Sequence, residues 1–260
     1  MSPAAARRRA PLVPAGTASP MAAAAAVAGI TVRGSLRELH RELDPVPPPA
    51  AEDLHRAFRG MMPRLAAELR RPGGAAEARE HTVELAARAL ERFRSGEAEL
   101  TPGQCARLLL GLQDRQARDR VAEWLEPEEL PAAERLWRYL ARRCAVPFDA
   151  CAAPPLSLLG WTAWIRGDVV LARVALGRAL AADPRYTFAQ LLHEAINCGA
   201  VPDTLRASLR RERRTRERRA RAARKRRPRP ARPRHANLGQ RRPTAAAQVV
   251  AGCLSSGRRL

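Results

Sequence analysis

Between Leu156 and Cys198 the chain reads LSLLGWTAWIRGDVVLARVALGRALAADPRYTFAQLLHEAINC, and this stretch limits the possible folds more than any other. Its apolar residues recur at helical spacing, and its small residues fall where two antiparallel helices must touch. Gly160 and Ala163 lie on the first helix, and Ala172, Ala175 and Ala179 on the second. Gly167-Asp168 supplies the turn between them, and Pro184 ends the pair because it cannot extend a helix. In a third helix, Thr187 and Gln190 are spaced as a capping box and Phe188, Leu191, Leu192 and Ala195 form the expected buried face, with Gly199 and Pro202 as terminators. Such a stretch is a packing unit, not a reaction centre.

Upstream, the same helical period continues. Ser35-x-x-Glu38 makes a capping box, and Leu54, Phe58, Met61, Met62, Leu65 and Leu69 form a stripe with Pro63 inside it, which predicts a kink or break near Met62. Arg71-Pro72-Gly73-Gly74 is a stop, and residues 75–94 carry Leu85, Ala89, Leu90 and Phe93 on one face. Thr101-Pro102-Gly103-Gln104 is a strong helix start before Cys105, Leu108, Leu109 and Leu112. Pro131 opens a helix bearing Leu136, Trp137, Leu140 and Cys144. Aromatics are only 4% of the chain, so its core should be thin and alanine-rich. The predicted fold is mainly α: a helical bundle over residues 29–205 with a repeat-like three-helix unit at 155–200, between disordered termini. Residues 1–28 read as a low-complexity leader, and 206–260 as an Arg-rich tail, helical at first and then disordered.

A net charge of +21 suggests a nucleic-acid binder until it is partitioned, because residues 10–205 hold 24 basic and 24 acidic residues. Residues 206–234 hold 16 basic and 2 acidic residues, so the excess lies in the tail. Arginines contact phosphates without strict geometry, with an affinity that falls as salt rises. The candidate contacts are Arg210, Arg211, Arg213, Arg214, Arg218, Arg219, Arg224, Lys225, Arg226 and Arg227. The tail has no Phe, Tyr or Trp, which argues against base stacking and membrane insertion. Glu212-Arg216 and Glu217-Arg221 favour a helix there, mutual arginine repulsion opposes it, and only Leu205 and Leu209 offer apolar docking. With 46 arginines against one lysine, the run reads equally well as a solubilising extension shaped by GC-rich coding.

Catalytic chemistry has little support. No nucleophile elbow, P-loop, dinucleotide fingerprint or zinc-protease motif occurs, and the His193-Glu194 pair reads as helix surface. Cys105, Cys144, Cys151, Cys198 and Cys253 are odd in number and contain no CxxC pair, which suits a reducing cytoplasm with buried structural thiols. No catalytic residue, cofactor or metal is assigned. No run is long enough to span a membrane, and Met21–Ile30 is a poor signal-peptide core. Glu126, Glu128 and Glu129 read as a solvated loop. Residues 101–125 superficially resemble a helix-turn-helix, but the spacing of Ala106 and Gly111 is wrong, and Asp114, Asp119 and Glu123 would repel phosphates. Trp161 and Trp164 are the candidate protein-interaction residues; the favoured reading packs Trp164 against the next helix and leaves Trp161 partly exposed.

Two resemblances add to this. Leu156-x-x-Leu159-Gly160, Ala172-x-x-x-Leu176 and Pro184 are similar to one tetratricopeptide helical hairpin, in a single copy. Over a longer span, GITVRGSLRELHRELDPV, LTPGQCARLLLGLQDRQARDRVAEWL and the Leu156–Cys198 unit resemble the C-terminal half of an actinobacterial family, domain of unknown function four-one-nine-two. Its most specific pieces are Arg118-Asp119, Gly160-x-x-Ala163-Trp164, Arg166-Gly167-Asp168 and Asp183-Pro184. The resemblance implies that the leader stands in place of the family's α/β half, and it transfers no catalytic residue. The function expected is a non-enzymatic cytoplasmic scaffold or interaction module whose tail binds nucleic acid non-specifically. The alternatives are a fragment of an enzyme or larger α/β protein lacking its N-terminal half, and a peptide-binding repeat-like module.

Overall fold

A computed structural model describes residues 35–226, and among these the chain forms ten α-helices and one short 3-10 turn, with no strand. The leader expected at 1–28 and the disordered region expected beyond the first part of the tail lie outside the described residues. The helices are α1 (Leu36–Glu42), α2 (Ala50–Arg70), α3 (Gly74–Ser95), α4 (Pro102–Gly111), α5 (Arg115–Val121), α6 (Leu130–Ala141), α7 (Ala153–Ile165), α8 (Val169–Ala182), α9 (Thr187–Asn197) and α10 (Asp203–Arg226). The 3-10 turn Asp149–Ala152 precedes α7. The chain divides between Leu39 and His40 into two units. In the first, the Glu38 carboxylate accepts the Ser35 N–H at 2.6 Å, and Ser35 Oγ accepts the Glu38 N–H at 3.4 Å, as the spacing predicts. The packing described below is that of the second unit.

Its centre is α7, which is buried at every position from Ala153 to Trp164. A helix that is apolar on all sides has no water-facing stripe and must be enclosed. Here α6, α8, α9 and the 3-10 turn enclose it. The small residues act as expected: a Cβ at Gly160 would meet Leu176 Cγ at 2.7 Å, so glycine is what lets α8 approach. Gly167 takes φ 79°, a left-handed conformation that closes the α7–α8 turn without strain. Asp168 then caps α8, its Oδ1 accepting the Leu171 N–H at 3.0 Å. The pair is thus a hairpin built into the core, rather than one face of an open repeat.

Three local expectations need correction. Pro63 does not break α2, which runs continuously from Ala50 to Arg70. Phe58, Met62, Leu65 and Ala66 bury one face while Pro63 stands on the exposed one, so water can satisfy the carbonyl that loses its donor. Thr187 is the first residue of α9 and not its cap; Tyr186 occupies that position without a side-chain bond, and Gln190 instead donates to the Pro184 carbonyl at 2.8 Å. The buried face of α9 is Ala189, Leu192 and Ile196, with Leu191 61% exposed. By contrast, α4 carries the full Thr101–Gln104 capping box.

Asp114 caps α5 by accepting the Ala117 N–H at 2.9 Å, and it also receives Arg79 of α3 twice at 3.1 Å. Burial alone would raise its pKa, but these bonds outweigh it and hold the carboxyl below the usual carboxylate range. Its stabilising contribution is therefore present above the unfolded pKa and is lost as pH falls through the lower folded one.

Cys105, Cys144 and Cys151 are buried and Cys198 is exposed. Burial pushes the Cys105 thiol up to about 11, so it stays protonated and poorly nucleophilic at neutral pH. In a Cys253→Ser chain, a thiol reagent should label Cys198 in the folded protein and the other three only in denaturant. Rapid labelling of all four without denaturant would contradict this packing.

Candidate nucleic-acid interface

The tail begins as α10, a regular helix of 24 residues, about 36 Å long at 1.5 Å per residue. Leu205 and Leu209 alone offer it apolar docking, yet Leu205 is 42% exposed, and α10 takes part in none of the close helix–helix pairings. Arginine side chains bridge the gap instead. Arg206 donates to the Leu125 carbonyl at 2.8 Å, and Arg210 to both Glu126 oxygens at 2.9 and 2.6 Å. Arg213 donates to both Glu129 oxygens at 3.0 Å and to the Glu123 carbonyl at 3.1 Å, and Arg216 forks onto the Glu123 carboxylate. Residues 206, 210, 213 and 216 follow helical spacing, so a single face of α10 makes all these bonds.

The acceptor is an acidic ledge between α5 and α6, which corrects the solvated-loop reading of Glu126 and Glu129. Trp124 stacks on Trp137 with centroids 5.7 Å apart and planes 7° apart, which fixes the ledge to the core. Glu129 also accepts the Glu126 N–H at 3.1 Å, so the two carboxylates hold their spacing. Hydrogen bonds to Glu129 and Glu123 raise the pKa values of Arg213 and Arg216 above the already high arginine value, and both stay charged at any accessible pH. Mutual repulsion along α10 was expected to fray it; the ledge supplies the countercharge that the helix lacks in itself.

A second line of cations runs along another face. Arg211, Arg214, Arg218 and Arg221 recur at i, i+3, i+7 and i+10 and are all exposed, as is Arg219. Of the residues singled out in the sequence, Arg210 and Arg213 are therefore engaged within the protein, while Arg211, Arg214, Arg218 and Arg219 face solvent. Arg224, Lys225 and Arg226 lie on the last turn of α10, and Arg227 lies outside the described residues. Arg221 was not singled out, although its register with Arg211, Arg214 and Arg218 follows from helical spacing alone.

Other candidates resolve into structure. Trp161 and Trp164 are 1% and 5% exposed, and Trp161 Nε1 donates to the Ala122 carbonyl at 2.9 Å. This corrects the partly exposed Trp161 and removes the open apolar face that a peptide-binding module requires. In the segment that superficially resembles a helix-turn-helix, one arginine is withdrawn from the surface. In α5, Arg118 is buried; it bonds Asp119 and the Tyr186 hydroxyl, and its guanidinium lies 4.5 Å from the centroid of the Phe188 ring. Arg166 pairs with Glu134, and His193 Nδ1 lies 3.1 Å from Asn197 Nδ2. Among the described residues, no cluster of three metal-ligating side chains gathers, and no helix is long and apolar enough to cross a membrane. A hollow of about 20 Å³ among Leu65, Leu69, Ala78, Thr82 and Asp114 has room for a water and nothing larger.

A family model described as Domain of unknown function (DUF4192) matches residues 8–203. The match begins inside the stretch read as a leader and ends at the first residue of α10, so it covers the helical domain and leaves the basic helix outside. No curated protein and no solved structure matches the chain.

Proposed function

We propose, for a chain that belongs to the family described as Domain of unknown function (DUF4192), that the matched domain is a non-enzymatic helical scaffold and α10 its electrostatic attachment to nucleic acid. The observation that supports this most directly is the exposed register of Arg211, Arg214, Arg218 and Arg221 on a helix whose Arg210, Arg213 and Arg216 are paired with carboxylates. Over these four residues the helix rises about 15 Å. Duplex DNA offers one negative charge per about 1.7 Å of axis, so such a line meets several phosphates whatever the base sequence. Helical residues on the same side, such as Thr215 and Ala222, bring no aromatic or bulky apolar group for insertion into bilayers, which favours nucleic acid over a lipid surface.

The test is binding of the full-length chain to mixed-sequence duplex DNA over a salt series, with and without four alanine replacements at Arg211, Arg214, Arg218 and Arg221. The replacements should flatten the slope of log K against log salt by about 3.6, or 0.9 per lost phosphate contact, equally for unrelated sequences. Thermal unfolding should hardly change, since the ledge pairs remain. A wild-type protein that ignores DNA, or a slope unmoved by the replacements, would overturn the reading. Binding to phosphatidylserine vesicles but not to DNA would assign the stripe to membranes.

A further inference from the structure

The ledge presents carboxylates to the same cations that a phosphate backbone would seek. Resting on the reading above, we infer that the segment from Glu126 to Glu129 is an internal competitor of the polyanion: it holds Arg210 and Arg213 in the free protein and yields them to bound nucleic acid. Three observations carry this. The contacts described between α10 and the ledge are hydrogen bonds and ion pairs, without a close helix pairing beneath them. Arg210 and Arg213 remain 32% and 30% exposed and Glu126 36%, with Glu129 at 16%, so water and salt reach both pairs, whereas Glu123 at 4% keeps Arg216 in place. The second stripe is exposed, so a duplex can first bind Arg211, Arg214, Arg218 and Arg221 and then draw Arg210 and Arg213 away from Glu126 and Glu129 with a far denser line of charge.

The consequence is counterintuitive: removing carboxylates from a different part of the protein should strengthen DNA binding because the guanidiniums no longer have to leave a partner, not merely because the charge is more positive. In the full-length chain, Glu126→Gln with Glu129→Gln frees Arg210 and Arg213 while preserving side-chain shape. The affinity at low salt should rise about tenfold above that of a charge-matched control, Glu84→Gln with Glu99→Gln, both exposed and on no arginine contact described above, because two weak pairs no longer have to break. Conversely, Arg210→Ala with Arg213→Ala should flatten the wild-type slope at low salt by about 1.8, because those side chains reach phosphate once the ledge yields. An affinity for E126Q/E129Q equal to that of the control, or no loss of slope in R210A/R213A, would show that the ledge does not compete for its arginines and would overturn the inference. If the wild-type protein binds no DNA at all, the underlying reading fails instead. If it binds with a slope sensitive to the outer stripe alone, that reading stands and only the competitor falls.

Discussion

Replacing Trp161 with alanine should destabilise the domain by about 3–5 kcal/mol. The ring is 1% exposed on a helix that is itself enclosed, so the surroundings have little freedom to close over the space it leaves. It also packs edge-to-face on Trp164, with centroids 5.7 Å apart, and that contact is lost with it. Its Nε1–H is the donor to the Ala122 carbonyl, and leaving that acceptor unpaired costs about 1–3 kcal/mol of the total. Trp161→Phe separates the two effects, since it keeps most of the ring and loses the donor, and it should cost the smaller part. Ala122 sits immediately before the acidic ledge, so the alanine variant should also loosen α10, visible as a fall in helical signal at moderate salt before global unfolding. Urea denaturation followed by far-ultraviolet circular dichroism measures both. A loss under 1 kcal/mol would mean that the ring is not the keystone of the core that its burial indicates.

The role of Trp161 illustrates which parts of this molecule were legible beforehand. Helix positions followed from periodicity and caps: Thr101–Gln104, Gly167-Asp168 and the small residues around Gly160 appear where the pattern requires them. A partly exposed Trp161 presumes that the first helix of the three-helix unit has an inner and an outer face. APPLSLLGWTAWI has no polar stripe, and that absence was the available sign of a helix enclosed on every side. Leu191 misled in the opposite direction, since an apolar residue at helical spacing was assigned to the interior and lies at the surface.

The ledge was hidden for a different reason. Net charge showed that residues 10–205 balance and that the tail is basic, but a balance sheet cannot say which carboxylate meets which guanidinium across about 90 positions, as Glu123 and Arg216 do. The hint was local: Glu123, Glu126 and Glu129 recur every third residue, and Arg206, Arg210, Arg213 and Arg216 recur at helical spacing. Two lines of opposite charge with compatible periods can zip together, and reading them one at a time made one a solvated loop and the other a free tail.

Ion pairs within the domain test the same principle where solvent is scarcer. Glu68→Ala should cost about 3–5 kcal/mol, far more than the loss of a surface pair. Arg107 of α4 forks onto both Glu68 oxygens of α2 at 2.7 and 3.0 Å, and its side chain is 7% exposed against 20% for Glu68. Without the carboxylate, the guanidinium remains desolvated, with only His81 Nδ1 nearby at 3.3 Å. Arg56 and Asp53, at 72% and 52% exposed, provide the comparison, and Asp53→Ala should change stability by less than about 0.5 kcal/mol. The decisive variant replaces both partners, Glu68→Leu with Arg107→Leu. If the cost of the single replacement comes from an orphaned buried charge, removing that charge should restore most of the stability; if α2 and α4 depend on the pair itself, the double variant will be no more stable than Glu68→Ala. Recovery is the expected result, because desolvating an arginine and a glutamate offsets much of their attraction, whereas leucines would add apolar contact at a joint already lined by Leu65, Leu69 and Leu110.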